Sequence, residues 1–204
     1  SSIMYCTANV LPGGGKVSAG SVFKGPDGVL SRATIYSNNS LYYRNGAYYG
    51  SNNEIGDGGV GWGCNMFSEN CTFESNVVNS FSSYDGGIVA SCEIFSASNC
   101  YFKSNKAING GMGSIADHCD TFIADNCIFV SNEAGSGVIA VYCPNMRTNN
   151  CVFYGNVDNY TAPAGLLEND PEDAATSTWE AYNCSFSNND VGYMAKNVNL
   201  KIVN

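Results

Sequence analysis

A seven-residue pattern, N-C-x-F-x-x-N, occurs five times in this chain and constrains its fold more than any other feature. The copies align without gaps, and their cysteines lie 24 to 33 residues apart. They occupy residues 70–76, 99–105, 126–132, 150–156 and 183–189. A repeat of this length that contains short alternating runs is typical of a β-solenoid.

Two further elements accompany the pattern. A degenerate sixth copy is predicted at 32–38, with Ala33 in place of Cys and Ile35 in place of Phe. A second set of cysteines, which we call the leading column, lies seven or eight residues before the cysteines of the next copies and contains Cys64, Cys92, Cys119 and Cys143. Cys6, in the segment Ile3-Met4-Tyr5-Cys6, is assigned as a further member. The cysteines of the repeat itself form the trailing column, at Cys71, Cys100, Cys127, Cys151 and Cys184.

The spacing within the repeat predicts which side chains face the interior. Cys71 and Phe73 are two residues apart and therefore lie on one face of a strand. The Asn three positions after each Phe is expected to end the strand at a corner, where Asn tolerates the left-handed conformation. We predict a buried ladder made of Ile35, Phe73, Phe102, Phe129, Phe153 and Phe186.

These features predict an all-β chain that forms a right-handed parallel β-helix of about six coils, stapled by disulfides. A helical repeat is excluded because 23 glycines and few strong helix formers oppose it. The chain is predicted to be one β-helix domain over 1–204. Its predicted parts are irregular N-terminal coils with long loops (1–57), regular repeats (58–195), a loop insertion (157–182) and the start of a further coil (196–204).

The sequence resembles the right-handed parallel β-helix of pectate-lyase-like proteins. More narrowly, it is similar to the repeats of polymorphic outer-membrane proteins and related adhesins, marked by F-x-x-N and G-G-A-[I/L/V]. Phe73 to Asn76 and Phe102 to Asn105 match the first mark, and Gly86-Gly87-Ile88 approximates the second. The resemblance covers about residues 58–195 and implies the architecture and a surface-adhesin role. The cysteine columns are not part of that family's pattern.

The composition indicates where the protein is located and which classes of partner it can bind. Ten cysteines without metal-binding C-x-x-C pairs favour disulfides in an oxidising space. Four N-x-S/T sequons predict N-linked glycans at Asn38, Asn70, Asn159 and Asn183. Together they predict an extracellular or cell-surface glycoprotein. A net charge of −9 argues against nucleic-acid binding, and no apolar run approaches the ~18 residues of a membrane span.

Two disulfide schemes remain open from the sequence. In the preferred diagonal scheme each leading cysteine pairs with the trailing cysteine one coil later, which uses all ten. Its bridges are Cys6–Cys71, Cys64–Cys100, Cys92–Cys127, Cys119–Cys151 and Cys143–Cys184. The fallback is pairing within each coil, which leaves Cys6 and Cys184 free or joined between stacked subunits.

The first functional hypothesis is non-enzymatic. The chain enters the repeat near Ile3 and leaves on an alternating run at 198–202. Uncapped solenoid ends favour copies of the protein that stack head to tail into a filament. A surface adhesin module is the second hypothesis, and a β-helix polysaccharide lyase or hydrolase is the third. No cofactor is expected.

Two polar clusters are candidates for catalysis or metal binding. Asp117, His118 and Asp120 could in principle bind a cation, but a surface-facing strand end is the more economical interpretation. The acidic run from Glu168 to Asp173 could supply hard oxygen ligands to Ca²⁺, but a solvated loop is favoured.

Overall fold

The chain forms a parallel β-solenoid, as predicted. The computed structural model describes residues 2–4, 7–9, 23–24, 33–48, 60–79, 87–109, 111–159 and 163–204. Every strand pair within these residues is parallel, and the helical content among them is one 3₁₀ turn, Pro171–Asp173. The regular part contains about five turns, with partial coils on both sides, where about six coils were predicted.

Each complete coil runs through four sheets in the order C, D, A, B, and adjacent coils pair in register. Sheet A follows each trailing cysteine, and sheet B follows sheet A. The strands of sheet A are β1 (Ser2–Met4), β5 (Ser40–Tyr43), β9 (Thr72–Glu74), β13 (Tyr101–Lys103), β17 (Ile128–Val130), β21 (Val152–Tyr154) and β25 (Ser185–Ser187). Those of sheet B are β2 (Thr7–Asn9), β6 (Gly46–Tyr48), β10 (Val77–Asn79), β14 (Lys106–Ile108), β18 (Glu133–Ala134) and β22 (Val157–Asp158).

Sheets C and D form the other half of each coil. The strands of sheet C are β3 (Phe23–Lys24), β7 (Gly61–Trp62), β11 (Val89–Ala90), β15 (Ala116–Asp117), β19 (Ala140–Val141), β23 (Gly165–Glu168) and β26 (Tyr193–Lys196). Those of sheet D are β4 (Ala33–Asn38), β8 (Cys64–Glu69), β12 (Ile94–Ser98), β16 (Thr121–Asp125), β20 (Asn145–Asn149), β24 (Thr178–Tyr182) and β27 (Asn199–Val203).

The first Asn of each repeat makes the corner between sheets D and A. These residues have left-handed backbones with φ between 49° and 53°, which Asn tolerates better than most residues. They are Asn39, Asn70, Asn99, Asn126, Asn150 and Asn183. The second Asn was expected to be the corner residue, but the left-handed residue there is the one before it, such as Ser75 at φ 57°. The second Asn is buried instead.

The aromatic ladder runs through the interior face of sheet A. Phe73, Phe102, Phe129 and Phe153 are fully buried, and Phe186 is partly buried at the end of the ladder. Successive rings stack with centroids 4.8 to 4.9 Å apart and nearly parallel planes. The repeat alignment therefore places like residues on like in neighbouring coils, as expected.

The prediction that Ile35 is the N-terminal member of this ladder is wrong. Tyr42 occupies the position, with its ring 4.7 Å from that of Phe73. The sixth copy of the repeat is Asn39 to Asn45, with Ser40 for Cys and Tyr42 for Phe. Ile35 lies on β4 in sheet D and pairs with Met66. Its column continues through Phe95, Phe122, Met146 and Trp179.

The predicted loop insertion at 157–182 is mostly regular structure. Leu166 and Leu167 on β23 and Trp179 on β24 are fully buried, so both segments continue the core columns of their sheets. Among the described residues of this repeat, the added length lies in 169–177, which contains the 3₁₀ turn. The sequence pattern did not predict β23, because the buried residues of this strand are consecutive and do not alternate with exposed ones.

Candidate functional site

A continuous ladder of asparagine amides runs along the corner between sheets A and B. Each member donates its backbone N–H and one Nδ2 hydrogen to the Oδ1 of the next, at 2.9 to 3.1 Å. The members are Asn45, Asn76, Asn105, Asn132, Asn156 and Asn189. From Asn76 onward, each Nδ2 also donates to the carbonyl of the aromatic-ladder residue one coil earlier. Such paired amides satisfy the buried polar groups that this corner contains.

This ladder has a direction. Every donation between amide side chains points toward the C-terminal end of the solenoid, from Asn45 through to Asn189. Asn189 uses its Nδ2 to bond the carbonyl of Phe153, as the earlier members do. Its backbone N–H and second Nδ2 hydrogen occupy the position from which earlier members reach the next coil. The C-terminal end of the ladder therefore presents hydrogen-bond donors.

The last coil exposes side chains that belong to interior columns. On β27, Leu200 pairs with the buried Trp179, and Ile202 pairs with the buried Ala181. Both occupy inward-facing positions, yet Leu200 is 36% and Ile202 47% exposed. A further coil stacked on β27 would cover them.

The structure keeps the partners of the diagonal disulfide scheme apart. Every described cysteine is unbridged, in the trailing column (Cys71, Cys100, Cys127, Cys151 and Cys184) and in the leading column (Cys64, Cys92, Cys119 and Cys143) alike. The argument against the diagonal pairs is therefore distance. β8 separates Cys64 from Cys71, and at about 3.3 Å per residue this strand is roughly 16 Å long. Neither diagonal nor in-coil pairing fits the roughly 4.4–6.8 Å between bridged Cα atoms.

The cysteines instead stack within their own columns. In the trailing column the backbone N–H of Cys71 donates to the Sγ of Cys100 at 3.4 Å. Hydrogen bonds from Cys127 and Cys71 lower the pKa of Cys100, and the same contact with Cys100 raises the pKa of Cys127. In the leading column, burial raises the pKa of Cys143. All these thiols are buried, so reagents in solvent do not reach them in the folded chain.

The described members of the leading column, Cys64, Cys92, Cys119 and Cys143, lie where sheets C and D meet. Cys6 lies outside the described residues, so its assignment to this column stays a prediction.

The four sequon asparagines lie on the surface. Asn38, Asn70, Asn159 and Asn183 are all exposed. Asn70 and Asn183 share the left-handed corner between sheets D and A, pointing away from the buried cysteine that follows each of them. Asn159 donates to the Glu133 carboxylate at 3.0 Å. These positions are accessible to a glycosyltransferase, and their modification stays a prediction.

We expect glycans at all four sites in protein made by a eukaryotic secretory pathway. Enzymatic release converts each glycosylated Asn to Asp, and peptide mass spectrometry counts the conversions. Asn99, Asn126 and Asn150 are matched controls, because they occupy the same corner without a Ser or Thr two residues later. An unmodified Asn70 in native material would contradict the prediction.

The Asp117–His118 pair is a local contact at the corner between sheets C and D. His118 Nδ1 lies 2.7 Å from Asp117 Oδ1, and the Asp117 side chain is 2% exposed. The His118 ring packs at 4.5 Å against Tyr142 of the next coil. Asp120 is exposed. Across the described ranges, no group of three His, Cys, Asp or Glu side chains is arranged to hold a metal ion.

The acidic run does not converge on one point. Glu168 is buried, forms an ion pair with Lys196 at 2.6 Å and accepts hydrogen bonds from the backbone of Gly137 and Gly165. Asp170, Glu172 and Asp173 are exposed around the 3₁₀ turn. Glu168 therefore has a structural contact, while the other three carboxylates face solvent.

Comparison with known proteins matches this chain to no family model, no curated protein and no solved structure. Among the residues that the structure describes, no helix has the length and apolar character needed to cross a membrane.

Proposed function

We propose that this protein is an extracellular structural glycoprotein whose copies stack head to tail into a filament. The observation that carries the proposal is the exposure of Leu200 and Ile202, two side chains in interior columns at the open face of β27. In the proposed filament, β4 of a second copy covers this face and extends sheet D.

The polarity of the solenoid supports this arrangement. All its described strand pairs are parallel, and every donation between the ladder amides points toward Asn189. Stacked copies of such a solenoid meet through unlike ends. Contact between unlike ends is heterologous, and a heterologous contact without closure produces an open filament.

Separate observations support the proposal that the protein is secreted and glycosylated. They are the four exposed sequons and the ten cysteines. Glycans at the corner between sheets D and A would project sideways from the solenoid and leave the stacking ends accessible. An adhesin or a polysaccharide-cleaving enzyme would share this architecture without needing the ends to meet.

Ile202→Lys is expected to abolish filaments seen by negative-stain microscopy and sedimentation. A lysine at this inward position would place a charge inside the stacked interface. The cost is about 3 kcal/mol, or roughly a 100-fold weaker association. The isolated protein should still fold, because Ile202 is 47% exposed there, and circular dichroism checks this.

Val203→Lys is the matched control. Val203 lies on the same strand but pairs with the outward-facing Tyr182, so its lysine would remain in solvent and filaments should persist. Wild-type protein that stays monomeric at high concentration would overturn the proposal. Binding to cells or cleavage of polyuronides by such monomers would favour an adhesin or an enzyme.

A further inference from the structure

Two buried thiols in the leading column face each other at close range. The Sγ atoms of Cys92 and Cys119 are 2.8 Å apart, and both residues are fully buried. A covalent S–S bond measures about 2.05 Å. The two sulfur atoms therefore need to approach by less than about 1 Å to reach bonding distance.

The backbone holds these cysteines as direct partners. Ala90 pairs with Asp117 on one side of them, and Ile94 pairs with Thr121 on the other. The Asp120 N–H also donates to the Cys92 carbonyl at 3.0 Å. Directly paired residues on neighbouring strands lie about 4.8 Å apart, within the roughly 4.4–6.8 Å between Cα atoms of a disulfide.

We propose that Cys92 and Cys119 form a disulfide that links two successive coils along the solenoid axis. The oxidant is a disulfide, either of a protein dithiol oxidase or of a small thiol. The exchange takes place during folding, before the two thiols are buried. A Cys92 or Cys119 thiolate attacks the oxidant's S–S bond and forms a mixed disulfide, and the second cysteine then attacks the protein sulfur and releases the oxidant's remaining thiol. One S–S bond forms in the protein, and the oxidant leaves as two thiols that carry the two protons.

The bridge differs from both schemes expected from the sequence, because it joins two members of one column. It would close a loop from residue 92 to residue 119 and hold β11 and β12 against β15 and β16. Cys143 competes for Cys119, since the register also aligns these two residues. The close sulfur contact favours Cys92.

Peptide mapping of the full chain tests the proposal. The protein is refolded in a mixture of reduced and oxidised glutathione, alkylated under denaturing conditions without reduction, and cut after Glu and before Asp. This digest separates the relevant cysteines. Cys92 falls in 85–93, Cys100 in 94–116, Cys119 in 117–119, Cys127 in 125–133, and Cys143 with Cys151 in 134–157.

We expect peptide 85–93 to be linked to peptide 117–119, with a combined mass lower by two hydrogens. Cys143→Ser should retain this link, whereas Cys119→Ser should leave Cys92 alkylated. Alkylation of both cysteines in the wild-type chain would overturn the proposal. So would a link from 85–93 to 125–133, or a link from 117–119 to 134–157.

Discussion

Replacing Phe129 with alanine is expected to lower the free energy of unfolding by about 3–5 kcal/mol. Phe129 is fully buried, and its ring stacks between those of Phe102 and Phe153, each at 4.8 Å. It also meets the ring of Phe122 edge-on at 6.3 Å. Alanine would leave a cavity in the middle of the ladder, where paired strands on both sides prevent collapse.

Ile128→Ala is the control for this substitution. Ile128 is the preceding residue on the same strand but faces outward and is 43% exposed. Its replacement should change stability by about 0.5 kcal/mol or less. Urea denaturation monitored by circular dichroism measures both variants. Equal changes in the free energy of unfolding for the two variants would show that the aromatic ladder does not stabilise the core.

Replacing Asn132 with alanine, as a separate variant, is expected to lower the free energy of unfolding by about 3–5 kcal/mol. Asn132 Oδ1 accepts from the backbone N–H and Nδ2 of Asn105, and its Nδ2 donates to Asn156 Oδ1 and to the Phe102 carbonyl. Alanine would leave the backbone N–H and one Nδ2 hydrogen of Asn105 without an acceptor, and each such buried group costs about 1–3 kcal/mol.

The readouts for this variant are urea denaturation and hydrogen exchange. The amide proton of Asn105 should lose protection, because its acceptor is removed. Asn145→Ala is the comparison, since Asn145 is exposed and donates one hydrogen bond, to the Asp120 carbonyl. If Asn132→Ala lowers the free energy of unfolding no more than Asn145→Ala does, the amide ladder has no structural role.

The sequence alone was enough to predict the coil, its period and the inner face of sheet A. The pattern N-C-x-F-x-x-N is intact in five copies, and each copy spans a corner and a strand without insertions. Two-residue periodicity then places Cys71 and Phe73 inside, and the exposure of Asn70 follows from the same alternation. These inferences depend on neighbours along one strand, which a sequence specifies directly.

Only the tertiary structure decided which strands and columns meet. The segment that contains Ile35 fits the repeat pattern loosely, but pairing with β8 assigns it to sheet D and leaves Tyr42 to begin the aromatic ladder. Cys64 and Cys71 are close in sequence, yet an extended strand keeps them apart, while Cys92 and Cys119 lie 27 residues apart and nearly touch. In a solenoid, extended backbone separates residues within a coil, and interstrand hydrogen bonding brings residues of successive coils together. The register of those hydrogen bonds, rather than separation along the chain, therefore determines the contacts.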